Sequence, residues 1–223
     1  SKKISVGSKY VLIDIPYGKS AKVLKKEAIK LKRAFLSLAD NFDLKISVAL
    51  TNGGEPIGNG IGPVLEMKDV IKVLKRYDPP KDLEEKSLFL AGKLLELAGE
   101  KQGYKKASEI LNSGKAFKKF TEIVKAQKGN INKLNKLKPN FFHNIIVKRK
   151  VKIKHIDNKL INRLARVVGC PEDKAAGIYL HKKKNQLSNK NEAILTIYAV
   201  SKEKLDQAVK FYHENKGKIV EFY

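Results

Sequence analysis

The stretch Ala49 to Leu74, ALTNGGEPIGNGIGPVLEMKDVIKVL, decides how the chain is read. An apolar strand end runs into a loop containing Gly53, Gly54, Gly58, Gly60 and Gly62. A segment follows in which Val64, Met67, Ile71 and Leu74 repeat at helical spacing. Glycines placed there let the main chain approach a ligand closely, and the amides at the start of the next helix favour an anion. The loop lacks the Gly-Lys-Ser/Thr ending of a triphosphate loop, and Gly58-Asn59-Gly60-Ile61-Gly62 misses the last spacing of the dinucleotide fingerprint. Glycine spacing alone leaves a tight turn and a ligand loop equally open.

Working outward, the apolar run YVLIDI at Tyr10 to Ile15 suits a strand covered on both faces. Leu24, Ala28, Leu31, Phe35 and Leu38 recur at spacings of four and three, predicting an amphipathic helix over 20–41. Leu44, Ile46, Val48 and Leu50 alternate as a second strand. Strand, helix, strand is a βαβ unit with parallel strands. Ligands in such units sit beyond the carboxyl ends of the strands, so Asp14, the turn from Ile15 to Lys19 and the loop from Thr51 to Gly62 are expected on one rim. For Asp14 a structural bond to loop amides and a ligand contact stay open alternatives.

Pro79-Pro80 closes the helix after the glycine loop, and Lys81 to Glu100 predicts another, with Leu83, Leu90, Leu94 and Leu97 in one stripe. Gly103, Gly114 and Gly129 punctuate two shorter helices. The signal fades over Leu134 to Asn140, which is taken as a boundary. Beyond it Asn144 to His155 reads as extended and Asn158 to Val168 as a helix. Gly177 to His181 and Ala193 to Val200 read as strands, Ser201 to Asn215 as a helix, and Lys218 to Tyr223 as a final strand. The fold class is α/β, a mixed, largely parallel sheet flanked by helices and followed by a small C-terminal α+β domain.

The 223 residues are 42% hydrophobic, enough for a sizeable core. The single Cys170 excludes an intrachain disulfide framework and fits a reducing compartment. No apolar run reaches membrane-spanning length and no leader pattern opens the chain, so a cytoplasmic protein without membrane partners is expected. The chain begins at Ser1, in basic residues that read like a helix end, as a piece of something longer would.

The net charge of +24 is concentrated: residues 101–154 hold 16 lysines and arginines against Glu109 and Glu122. A nucleic-acid-binding module is the reading of another class that this invites. A charge-solvated surface, as in proteins of heat-loving organisms, is preferred, because no exposed aromatics are interleaved and no nucleic-acid motif occurs. His143, His155, His181 and His213 show no metal-ligand spacing, so no metal site is expected. Cys170, before a proline and without a visible base, is not read as a nucleophile.

Several phrases in order resemble the thymidine and pyrimidine-nucleoside phosphorylase family, most closely its archaeal AMP branch. They are SKK at Ser1 to Lys3, GSKYVLIDIPYGKSAK at Gly7 to Lys22, ALTNGGEPIGNGIGPVLE at Ala49 to Glu66, SGKAFKKFTEIVKAQKG at Ser113 to Gly129, and IDNKLINRLARVVGCPEDKAAGIYLH at Ile156 to His181. Family members are about twice this length. The resemblance therefore implies a C-terminal portion without the phosphate loop, most nucleotide contacts or the proposed proton donor, inactive alone, with no catalytic residue retained. It implies a remnant of the N-terminal helical domain at 1–8, a partial α/β catalytic domain at 9–140, and a barrel-sandwich-like domain at 141–223.

Lys2 falls at the family's substrate-binding lysine, which stabilises negative charge on the departing base. Inorganic phosphate is co-substrate and nucleophile, and no cofactor is implied. The implied partners are a nucleoside monophosphate, phosphate, the absent N-terminal half and further copies of the full-length chain. At Asp14-Ile15-Pro16-Tyr17-Gly18-Lys19 the bacterial pyrimidine enzymes usually read Asp-Val-Lys-Val-Gly-Ser-Gly; Pro16 in place of that lysine points to the AMP branch. Some relatives hold a monovalent cation at positions matching Ile57, Gly60 and Asp69. Asp69 is one methylene shorter than their glutamate, and an acid in the first helical turn is the preferred reading. Glu172-Asp173-Lys174-Ala175 also resembles the lipoylated hairpin of carrier domains, a rival disfavoured because Lys174 follows a helix and a turn rather than sitting between strands.

Overall fold

The computed structural model describes residues 7–40 and 44–223. They cluster into two compact units, one running to Gly54 and including Lys81–Ala116, the other comprising Glu55–Pro80 and Phe117–Tyr223.

In the first unit, β1 (Tyr10–Tyr17) pairs in parallel with β2 (Lys45–Asn52), Tyr10 opposite Lys45 and Tyr17 opposite Asn52. Both strands run two residues beyond the predicted ends. The crossover helix α1 (Lys25–Asp40) buries Ala28 completely against Ile15 and Val48, with Phe35 alongside. The rest of the predicted stripe, Leu24, Leu31 and Leu38, is exposed, because two strands cover only part of it. Helix α2 (Pro63–Lys75), which follows the glycine loop, belongs to the second unit, whereas α3 (Lys81–Leu97) belongs to the first and packs on β1 and β2. The next helix, α4 (Gly103–Asn112), crosses α3 where both are bare: a Cβ on Gly92 would lie 2.7 Å from the Tyr104 amide nitrogen.

In the second unit the chain builds two antiparallel sheets. One has the order β3 (Gly60–Ile61), β6 (Gly177–Leu180), β8 (Ala193–Ala199), β4 (Phe141–Ile146); the other runs β7 (Leu187–Ser188), β5 (Val151–Ile156), β9 (Val220–Phe222). Helices α6 (Asn158–Val167) and α7 (Lys202–Glu214) complete it, capped by Asp157 and Ser201 side chains that accept from helical amides. The second unit also holds most of α5 (Lys115–Ala126) and a 3-10 turn (Ile131–Lys136). Both sheets and both helices feed one core, in which Ile153, Ile161, Leu164, Ile178, Leu195, Ile197 and Ile219 are fully buried.

The chain is mixed α/β, but the expectation of a largely parallel sheet does not hold. Among the described strands only the β1–β2 ladder is parallel, with one isolated parallel bridge between Tyr17 and Val23, and every other ladder is antiparallel. The extended reading of Asn144 to His155 also needs correcting. The chain bends between Ile146 and Val151, and β4 and β5 join different sheets. Lys148-Arg149-Lys150 is exposed at this bend, so one apolar-rich run serves two layers.

Candidate functional site: the glycine loop and its clamps

The turn after β1 and the first part of the glycine loop meet backbone to backbone. The Gly53 amide donates to the Tyr17 carbonyl (2.8 Å) and the Ser20 hydroxyl to the Gly54 carbonyl (2.8 Å). A Cβ on Gly18 would lie 2.7 Å from Gly54 Cα, and one on Gly53 would lie 2.7 Å from Pro16 Cβ. The glycines at 18 and 53 are therefore required by close approach. Both oxygens of Asp14 are engaged. Thr51 donates to Oδ1 at 2.6 Å, and the Lys86 ammonium sits 2.8 Å from Oδ2. The structural alternative put Asp14 on loop amides; its contacts are instead a strand hydroxyl and a helix ammonium. The expected rim is thus met for Asp14, the turn and Thr51–Gly54; residues from Glu55 onward cluster with the second unit.

In the second unit the loop continues into β3, which pairs with β6 through Gly60 opposite Tyr179. Gly62 then caps α2 with φ 123°, and Pro63 occupies the first helical turn. The anion expected at this helix N-terminus is supplied by the chain itself. The Glu66 carboxylate accepts from the Gly62 amide (3.0 Å), while the Val64 amide donates to the Lys174 carbonyl (3.3 Å).

Asp69 lies in the second turn of α2, not the first, because the helix starts at Pro63. It is 2% exposed, and its Oδ2 accepts from the amides of Asn59 (2.6 Å) and Gly60 (2.7 Å). Its Oδ1 is buried without a hydrogen-bond partner. On the carbonyl side of the same loop, the half-buried Lys183 donates to the Pro56 carbonyl (2.9 Å) and to the Gly58 carbonyl. The Gly58–Asn59 peptide is thereby held at both ends, its C=O by an ammonium and its N–H by a carboxylate. Gly58 has φ 75°, a conformation open to glycine at little cost.

Glu55, at the loop entrance, is held by the other sheet. It accepts from His155 Nδ1 (2.6 Å) and the Ile156 amide (2.9 Å), with Lys184 at 3.3 Å. His155 is buried, and its Nε2 has no hydrogen-bond partner, Asp157 lying 4.0 Å away.

At the positions matching a monovalent-cation site, Ile57, Gly60 and Asp69, Asp69 acts as a backbone acceptor through Oδ2, while its Oδ1 stays buried without a hydrogen-bond partner. The Asp69 oxygen facing the loop is committed to two amide donors, and Gly60 presents its N–H to it. The carbonyls that converge are those of Pro56 and Gly58, and they converge on a lysine. Among the described residues no three His, Cys, Asp or Glu side chains form a metal-binding group.

The remaining candidates divide plainly. Lys2 lies outside the described residues. Lys174 donates to the Pro171 carbonyl (3.0 Å) in the turn between α6 and β6, not at a hairpin tip. His181 contacts Thr196 (2.7 Å), whose hydroxyl donates to Asn144. Burial, followed by the charge of Lys182, lowers the His181 pKa below the ordinary histidine value. Cys170 is buried and donates to the Ala176 carbonyl. Burial first, then the carboxylates of Glu66, Asp173 and Glu172, push its thiol up to about 11. We therefore expect a thiol-specific chromogenic reagent at mild alkaline pH to label Cys170 only after denaturant is added. Labelling of the folded protein at the rate of free cysteine would contradict the buried-thiol geometry.

Lys183, Glu55 and His155 were not visible as site residues in the sequence. Lys183 is the middle of three consecutive lysines, which read as solvated charge. The one available signal was Glu55, the only acid within the glycine loop.

Comparison with known proteins places these features. Residues 152–217 match the family model described as pyrimidine nucleoside phosphorylase C-terminal domain. The AMP phosphorylase of Methanococcus aeolicus is 44% identical over 219 residues, covering 95% of this chain and 43% of the relative. The chain matches the C-terminal portion of this phosphorylase family. The AMP phosphorylase of Pyrococcus abyssi is 41% identical over 219 residues, covering 94% of the chain and 43% of the relative. A putative thymidine phosphorylase of Legionella pneumophila is 37% identical over 225 residues, covering 99% and 43%. The chain thus spans less than half the length of these curated phosphorylases, and its glycine loop, clamps and C-terminal sheets all lie within the part it shares with them.

Proposed function

We propose that this chain is the C-terminal part of a phosphorylase that cleaves the N-glycosidic bond of AMP with inorganic phosphate, giving adenine and ribose 1,5-bisphosphate. CMP and UMP are the further substrates of this reading. The observation that carries it is the similarity to AMP phosphorylases along almost the whole chain, at 44% and 41% identity, with Pro16 where bacterial pyrimidine enzymes have lysine. Phosphate is the nucleophile, so no cofactor and no activated serine or cysteine is called for. The buried, unreactive environment of Cys170 is consistent with this.

Lys2 is the substrate contact in this reading, its ammonium stabilising the charge that builds on the leaving base. Residues 1–8, 9–140 and 141–223 are then a helical-domain remnant, part of the catalytic domain, and a barrel-sandwich-like domain. Exposed Ile29, Leu31, Leu36 and Leu38 on α1, with Leu24 just before it, support the idea that this unit packs against more chain. Self-association of the full-length protein and a cytoplasmic location belong to the same reading. No helix among the described residues is long and apolar enough to cross a membrane.

The second reading, a nucleoside phosphorylase, is favoured by the similarity to a putative thymidine phosphorylase. The test is phosphate-dependent base release by the full-length protein, comparing AMP, CMP and UMP with thymidine and uridine. Adenine release from AMP is expected, and Lys2→Ala should lower kcat/KM by about 100-fold, the scale of losing one positioned charge at the leaving group. Turnover of thymidine or uridine alone would replace the AMP reading by the second.

A further inference from the structure

Some relatives hold a monovalent cation in the matching loop; here the Pro56 and Gly58 carbonyls converge on a positive charge that the chain itself supplies. We infer that Lys183 is the loop's own cation: its ammonium stands in for a bound monovalent ion, making it a positioning residue that renders the loop independent of potassium or ammonium.

Two carbonyl oxygens, from Pro56 and Gly58, point at one half-buried ammonium. Backbone oxygens converging in this way repel one another unless a cation lies between them. On the opposite side of the Gly58–Asn59 peptide, the Asp69 carboxylate takes the N–H. A trans peptide directs its C=O and N–H in opposite directions, so its dipole lies along the line from ammonium to carboxylate. Removing either charge leaves the other facing an unopposed dipole end. Lys183 follows β6, which also pairs with the loop at Gly60 and Ile61, so ladder and charge come from one segment. Glu55, tied to His155 and Ile156, fixes the entrance of the same loop from the second sheet.

The kinetic consequence rests on the phosphorylase reading above; the structural consequence does not. The experiment uses the full-length protein, wild type, Lys183→Ala, Lys183→Met and Lys183→Arg, at constant ionic strength made up with tetramethylammonium, potassium or ammonium chloride. Hydrogen exchange of the 56–62 segment is measured alongside phosphorolysis. Wild type is expected to behave alike in all three salts. In Lys183→Ala the loop amides should exchange about 10-fold faster, the equivalent of one charge-assisted hydrogen bond, and ammonium or potassium should restore them. Lys183→Met keeps the apolar stem and should show the acceleration with the rest of the protein unchanged, while Lys183→Arg should stay near wild type. If the protein is a phosphorylase, Lys183→Ala gains a monovalent-cation requirement that wild type lacks.

Wild-type loop exchange or turnover that depends on potassium would overturn the inference. So would Lys183→Ala and Lys183→Met exchanging at wild-type rates, or an acceleration that no monovalent cation reverses. A protein with no phosphorolysis at all removes the phosphorylase reading, while the exchange data still decide whether Lys183 is the loop's cation.

Discussion

Asp69→Ala should destabilise the second unit by about 3–5 kcal/mol, as read from the midpoint of urea unfolding. The carboxylate is 2% exposed and accepts two backbone amides at 2.6 and 2.7 Å. Charge-assisted bonds of this kind contribute about 1.5–3 kcal/mol each, and their donors cannot all turn to water when the acceptor is deleted. Asp69→Asn should cost less, about 1–2 kcal/mol, because an amide oxygen still accepts while its NH2 takes the side now occupied by the unpartnered Oδ1. The order Ala worse than Asn distinguishes an acceptor role from mere space filling. If both variants unfold within about 0.5 kcal/mol of wild type, Asp69 is not what holds the loop.

Gly62→Ala is the second large effect, for a different reason. At φ 123° and ψ 152° the backbone is in a region essentially closed to residues with a Cβ, which costs about 1–3 kcal/mol. The added methyl would also stand 2.6 Å from the Ala176 carbonyl oxygen and 3.0 Å from Cys170 Sγ, both buried neighbours in the turn leading to β6. Together these predict a loss of about 3 kcal/mol or more. Gly114→Ala is the control: φ is 74°, but nothing lies within 4 Å of the new Cβ, so about 1 kcal/mol is expected from backbone conformation alone. Thermal unfolding of the two variants side by side separates strain from collision. Equal losses would mean that the contact with Ala176 yields freely.

These two residues also mark where the sequence could and could not be read. The β1–α1–β2 segment was legible because each element carries its own periodicity, and the structure reproduces its order and parallel pairing within a few residues at each end. The helices capped by Asp157 and Ser201 were legible for the same reason, their boundaries being written in local side chains. The parallel character of that first pair did not extend to the remaining strands, since pairing partners are chosen by contacts remote in sequence. The two-residue strand Gly60–Ile61 carries no period at all, and its partner lies more than a hundred residues along the chain. Asn144 to His155 has one compositional signature but serves two sheets, because the division is made by a bend of exposed basic residues.

The site shows the same division. The glycines announced close backbone approach, and Gly60 and Gly62 are indeed where a Cβ would collide with backbone, as is Gly18 outside the loop. The charges that act on the loop were not legible. Asp69 was read as an acid in the first turn because the helix start was not fixed, and Lys183 was one lysine among many in a chain of net charge +24. A lysine that meets two carbonyls remote in sequence has no local pattern, whereas five ordered family phrases need no tertiary information to be seen.

The central claim, phosphorolysis of a nucleoside 5′-monophosphate, is tested most directly by phosphorus NMR of the full-length protein incubated with AMP and inorganic phosphate. The account predicts that the AMP and phosphate signals fall together and are replaced by two new resonances of equal area, the C1 and C5 phosphoesters of ribose 1,5-bisphosphate, with free adenine in the same amount. Unchanged AMP, with a single new sugar-phosphate resonance appearing only when thymidine or uridine is supplied, would contradict it.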